Sequence, residues 1–187
     1  MAAEPYSDEE REEIIAYGIE RGKIILISMS VSLIIGILFG VLPQSIIFML
    51  TFCSLRRYAG GYHADSQKRC YVISFAVIII TFWLIKILPY YIIADVFINM
   101  SCLVLILFLA PVENQNRQLE TNERKEYGTK TKTIAIFISL LTVFFRYKGL
   151  HNIIIPILMA FIIVSISLIL GYIKNVKQKN IYTAKCK

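Results

Sequence analysis

His63 and Cys70 lie seven positions apart in a polar island, residues 56–70, that interrupts two long apolar runs, and His63 is one of only two histidines in the chain. An imidazole beside a thiol is the makings of a cysteine nucleophile with a general base. Taken singly, each residue has an ordinary explanation: a cysteine at the start of an apolar helix is commonly a packing residue, and a loop histidine is commonly solvent-bonded. Their surroundings favour chemistry. Asp65 or Ser66 is a natural N-cap, so a helix is predicted to begin near Gln67 and to place Cys70 in or just beyond its first turn. There the helix dipole and the cations Lys68 and Arg69 favour the thiolate.

On one continuous helix, positions 63 and 70 would be separated by about 10.5 Å along the axis, too far for a hydrogen bond. His63 must therefore return from a loop, and Gly60-Gly61 supplies the backbone freedom for a tight turn. Arg56 and Arg57 are suited to anchoring at a lipid headgroup, stabilising an oxyanion or clamping a carboxylate. Cys53 and Cys102 lie in apolar runs and read as packing residues, and Cys186 falls in a basic tail. One histidine and one cysteine at this spacing lack the further ligands of a zinc site, so neither a metal nor another cofactor is expected.

The elements that must hold this island are membrane helices. Hydrophobic residues make up 57% of the 187 positions, and the runs 24–42, 71–88 and 153–173 approach or exceed the roughly 20 residues that span a hydrocarbon core. The expected fold is all-α: one polytopic membrane bundle of about six segments, at 24–42, 44–55, 71–88, 91–110, 133–146 and 152–173. The second and fifth are short, since about 12 residues of helix cover only about 18 Å. Pro43, Pro89-Tyr90 and 146–150 mark turns. An amphipathic helix over residues 5–23 is expected to lie against the membrane, with Ser7 as its cap. A mixed-charge loop spans 111–132 and a basic tail spans 174–187. The acidic and polar first residues do not resemble a cleavable signal, so the N-terminus is expected to be retained.

Six crossings return both termini to one side. With the N-terminus inside, the outer side keeps only Lys86, Arg146 and Lys148 of the basic residues, so the positive-inside rule places the termini and the 56–70 island in the cytoplasm. Thiols stay reduced there. The formal net charge of +7 then reads as attraction to anionic lipid, and no nucleic-acid motif is present. His151 falls on the opposite side, and Asp95 reads as an interfacial charge near the outer end of the fourth segment.

The run Arg56-Arg57-Tyr58-Ala59-Gly60-Gly61-Tyr62-His63-Ala64, followed by Cys70, resembles the signature of the accessory gene regulator B (AgrB) family of membrane cysteine endopeptidases. Ala110-Pro111-Val112-Glu113-Asn114 with Asn116-Arg117 is similar to a second family stretch. The likeness covers essentially the whole chain. It implies that His63 and Cys70 are the catalytic pair, that Arg56 and Gly61 matter for activity, and that the substrate is an AgrD-like precursor peptide with an amphipathic N-terminal helix and an acidic C-terminal tail. It further implies a thioester acyl-enzyme, closure of a thiolactone or lactone autoinducer for quorum sensing, and a homodimer. The rival readings are a peptide transporter or export channel, and a non-catalytic adaptor. Against the carrier, the spans hold few charges and no evident inverted repeat.

Overall fold

The computed structural model describes residues 8–62, 67–88, 92–112 and 121–185. They form six helices: α1 (Asp8–Phe39), α2 (Leu42–Ala59), α3 (Gln67–Ile87), α4 (Ile92–Leu109), α5 (Thr121–Tyr147) and α6 (His151–Lys185). Two, over Asn122–Tyr147 and His151–Lys177, are long and apolar enough to cross a membrane, and Leu26–Phe39, Tyr71–Ile87 and Ala94–Leu109 are shorter apolar helices.

Several helices outrun the apolar segments that announce them. The amphipathic helix expected over 5–23 is not a separate element, because α1 runs unbroken for 32 residues. Good helix formers, Glu9 to Glu13, precede the apolar part, and no proline intervenes. Ser7 lies outside the described residues. The mixed-charge loop expected over 111–132 is helical from Thr121 onward. There an i,i+4 pair, Glu126 and Lys130 at 2.6 Å, supports the helix, and the Thr129 and Thr131 hydroxyls donate to the carbonyls of Lys125 and Tyr127. The basic tail likewise continues α6 as far as Lys185, while Cys186 lies outside the described residues.

Segment two also lengthens, to 18 residues, which at about 1.5 Å each covers about 27 Å. Pro43 sits in its first turn, where a missing N–H costs nothing. Before it, α1 closes through Gly40 N–H to Ile37 O (3.0 Å) and Val41 N–H to Gly36 O (2.8 Å), a helix-ending pair of bonds. The expected 146–150 turn closes through Gly149 N–H to Arg146 O at 3.0 Å. The Pro89-Tyr90 turn lies outside the described residues.

Helix α6 is the hub, packed against α2, α4 and α5 and more lightly against α3, while α1 covers α2 and α3. Its buried stripe, Ile154, Ile157, Phe161, Val164 and Leu168, follows the 3.6-residue helical period. One core joins Ile157, Phe161, Val164 and Leu168 to Leu55, Ala59, Cys102, Ile106 and Ala135. A second joins α1, α2 and α3 through Ile35, Phe48, Met49, Phe82 and Ile85, with the Phe48 ring edge-on to Phe82 at 5.7 Å. The exterior is apolar too: Phe97 is 76% and Phe108 84% exposed.

Asp95, expected as a charge near the outer end of the fourth segment, is turned into the bundle and paired there. Its side chain is 2% exposed, and Arg146 Nε and Nη2 donate to its Oδ2 at 2.8 and 2.6 Å. About one turn further along α4, Asn99 Oδ1 accepts a bond from the Ser139 hydroxyl at 2.8 Å, so α4 and α5 are joined by two polar contacts. Breaking such a pair strands a buried charge, whereas replacing both members with apolar residues of similar size is often neutral. Arg146→Met should therefore destabilise the bundle by about 3–5 kcal/mol, and Asp95→Leu combined with Arg146→Met should restore most of that loss. Thermal unfolding in detergent checks both, and equal melting of the single and double variants would contradict the assignment.

Candidate active site

The site is built where the C-terminus of α2 meets the middle of α6, at Ser167 and Gly171. Arg56 and Arg57 stand in the last turn of α2, and the chain leaves through Gly60 (φ +71°) and Gly61 (φ +115°), a left-handed path that disfavours side chains. A Cβ on Gly60 would strike the Val112 carbonyl, and one on Gly61 would strike the Arg56 guanidinium. Neither glycine has room for replacement.

Three elements seat this turn. Val112, after α4, donates its N–H to Ala59 O at 3.0 Å and accepts from Gly61 N–H at 3.3 Å. From α6, the Ser167 carbonyl accepts the Tyr62 N–H at 2.9 Å and the Ser167 hydroxyl oxygen lies 3.2 Å from the same nitrogen. Arg56 then ties the turn from within: Nη1 donates to Gly60 O and to Ser167 Oγ (2.6 Å), and Nη2 donates to Tyr62 O. The guanidinium is thus engaged with backbone carbonyls and Ser167, using the planar fork that distinguishes arginine from lysine.

Around the seat lie cations and aromatic rings. Arg57 and Lys130 each lie 5.6 Å from the centre of the Tyr58 ring, Tyr58 meets Tyr127 edge-on at 5.7 Å, and Lys174 lies 5.3 Å from the Tyr62 ring centre. Arg57 itself is exposed. It is the member of the arginine pair free to face a headgroup or substrate in geometric terms.

His63, Ala64, Asp65 and Ser66 lie outside the described residues, so the His63–Cys70 contact and the Asp65 cap do too. The chain resumes as α3 at Gln67, and Cys70 falls in the first turn of that helix, as its capping pattern predicts; its side chain lies outside the described set. Beginning one residue later, a groove of about 330 Å³ runs between α3 (Tyr71, Val72, Ser74, Phe75, Ile78) and α1 (Ile27, Ser28, Val31). It is almost wholly apolar.

The other candidates separate cleanly. Cys102 is buried in the core, whereas Cys53, expected to pack, faces outward on α2. His151 opens α6, about 24 Å along that helix from Ser167. Among the described residues no three His, Cys, Asp or Glu side chains gather as a metal would require.

Sequence reasoning passed over Ser167 and Gly171. Their four-residue spacing was the available signal, because small residues at i and i+4 let another backbone approach a helix closely. Val112 belonged to a stretch already singled out, and its pairing with Ala59 and Gly61 gives that stretch a structural reason.

The accessory gene regulator B family model matches residues 1–168. The chain belongs to the AgrB family. It is 29% identical over 196 aligned residues to AgrB-like protein 2 of Clostridium perfringens strain 13, covering 97% of this chain and 91% of that one. An AgrB-like protein of C. perfringens strain SM101 is 32% identical over 161 residues, covering 79% of this chain and 74% of its own. Accessory gene regulator protein B of Staphylococcus intermedius is 28% identical over 111 residues, covering 58% and 57%. No solved structure matches the chain significantly. AgrB membership brings with it a role in processing the AgrD precursor of a quorum-sensing system.

Proposed function

We propose that this AgrB-family chain is a cell-membrane cysteine endopeptidase in which Cys70 is the nucleophile and His63 its general base and acid. The seating of Gly60, Gly61 and Tyr62 by three elements is the observation that carries the reading, because a turn fixed immediately before residue 63 is what a returning imidazole needs. The exposed apolar exterior supports a membrane setting, since a water-soluble bundle would not leave residues such as Phe97 and Phe108 bare. Both termini and the 56–70 segment lie on the cytoplasmic side in this reading.

In the first step the Cys70 thiolate attacks the scissile carbonyl of an AgrD-like precursor. The C–N bond breaks, imidazolium at His63 gives its proton to the leaving amine, and the acidic C-terminal fragment departs, leaving a thioester on Cys70. In the second, an internal Cys or Ser of the bound peptide attacks that thioester carbonyl. His63, neutral after the first step, takes the proton of the attacking thiol or hydroxyl, Cys70 leaves as thiolate, and the ring closes as a thiolactone or lactone. Thioester exchange is nearly balanced in energy, so water must be kept out while the internal nucleophile is held close. The apolar groove lined by α3 from Tyr71 onward supports this reading. A homodimer, with Arg57 facing lipid headgroups or substrate and Asp65 capping α3, completes the proposal.

Reconstitution in lipid vesicles with a synthetic precursor tests it. The expected result is paired release of the C-terminal fragment and the cyclic product, followed by mass spectrometry. A precursor carried across the vesicle uncut would instead make the chain a carrier.

A further inference from the structure

Tyr62 is gripped on both sides. Its N–H is held by the carbonyl of Ser167 at 2.9 Å, with the Ser167 hydroxyl oxygen 3.2 Å away, and its carbonyl accepts from Arg56, which in turn donates to Ser167 Oγ at 2.6 Å. Both peptide planes that meet at the Tyr62 Cα are therefore tied down. The second of these planes is covalently the one that includes the nitrogen and Cα of residue 63.

The approach is possible only because residue 171 is glycine. A Cβ there would come within 2.8 Å of Gly61 C and Tyr62 N, both backbone atoms that no rotamer change can move aside. Gly171 lies one turn beyond Ser167 on the same face of α6, so the two residues form one notch: glycine opens the gap, and serine supplies the acceptors inside it. Neither residue belongs to the polar island, and 105 positions separate Ser167 from Tyr62.

We propose that Ser167 and Gly171 of α6 are positioning residues that set the His63 loop against Cys70; this rests on the thiol-protease reading above. They act through Tyr62 and touch no reacting atom. Because the thiol-protease reading requires imidazole to meet thiol, loosening Tyr62 is expected to lower turnover more than substrate binding and to leave the thiolate less favoured.

The test uses the full chain in vesicles, as wild type, Ser167→Ala, Gly171→Ala and Cys70→Ser. Two quantities are read: kcat and KM for cleavage of the synthetic precursor, and the pH profile of iodoacetamide alkylation at Cys70, resolved by peptide mass spectrometry so that the other cysteines do not contribute. Ser167→Ala is expected to lower kcat about tenfold and Gly171→Ala up to about a hundredfold, with KM little changed and the Cys70 alkylation profile displaced to higher pH. Ser167→Ala removes only a hydroxyl, so it keeps the test sound if Gly171→Ala fails to fold. Wild-type kcat in Ser167→Ala, or a lowered kcat with an unmoved alkylation profile, overturns the inference while Cys70→Ser remains inactive. Undiminished cleavage by Cys70→Ser overturns the protease reading and this inference with it.

Discussion

Cys70→Ser is expected to lower precursor cleavage by at least about a thousandfold, with the protein still inserted in the membrane. A hydroxyl is some five orders of magnitude less ionised than a thiol near neutral pH, so His63 would have to draw off a far less acidic proton. His63→Ala removes both the base and the donor to the leaving amine, so a loss of about 10²–10⁴-fold is expected, nearly all in kcat. Cys53→Ala and Cys102→Ala serve as controls: one thiol faces outward from α2 and the other is sealed in the core, so cleavage should be largely retained in both. If Cys102→Ala were the silent variant and Cys70→Ser active, the nucleophile would have been assigned to the wrong helix.

The second large effect is expected at Arg56. Arg56→Lys keeps the charge, but one ammonium cannot reach Gly60 O, Tyr62 O and Ser167 Oγ in the geometry of the planar fork. The turn should loosen and kcat should fall about ten- to a hundredfold, with KM changing little. Gly61→Ala should be at least as damaging, because φ near +115° is strained for any side chain and the added methyl would occupy the guanidinium's place. Arg57→Lys is the informative contrast. Arg57 is exposed and only lies over the Tyr58 ring, so lysine should serve nearly as well. An Arg56→Lys enzyme with wild-type kcat would mean that the seat of Tyr62 is irrelevant to turnover.

These two arginines mark how far the amino-acid sequence could be read. Their position in a polar island at a helix end was legible, as was the start of α3 near Gln67, because caps and glycines act locally. What Arg56 does was not, since its acceptor Ser167 lies on α6 and non-local contacts leave only faint traces in sequence. Helix ends were misjudged for a different reason. Apolar runs report where a bilayer would sit, whereas α1, α5 and α6 continue through polar sequence on the strength of helix formers and pairs such as Glu126–Lys130. Asp95 was legible only in part: seen alone it is a charge near a helix end, and only the folded bundle brings Arg146 to it.

The membrane account and the chemistry meet at one covalent species. With the precursor's internal Cys or Ser replaced by Ala, ring closure is blocked and the acyl-enzyme should accumulate, so acid-quenched protein should gain the mass of the precursor's N-terminal fragment. Fragmentation should place that mass on Cys70, and hydroxylamine should remove it, as it does a thioester. An adduct mapping to Cys53, Cys102 or Cys186, or cleavage proceeding with no hydroxylamine-labile adduct at all, would contradict the account.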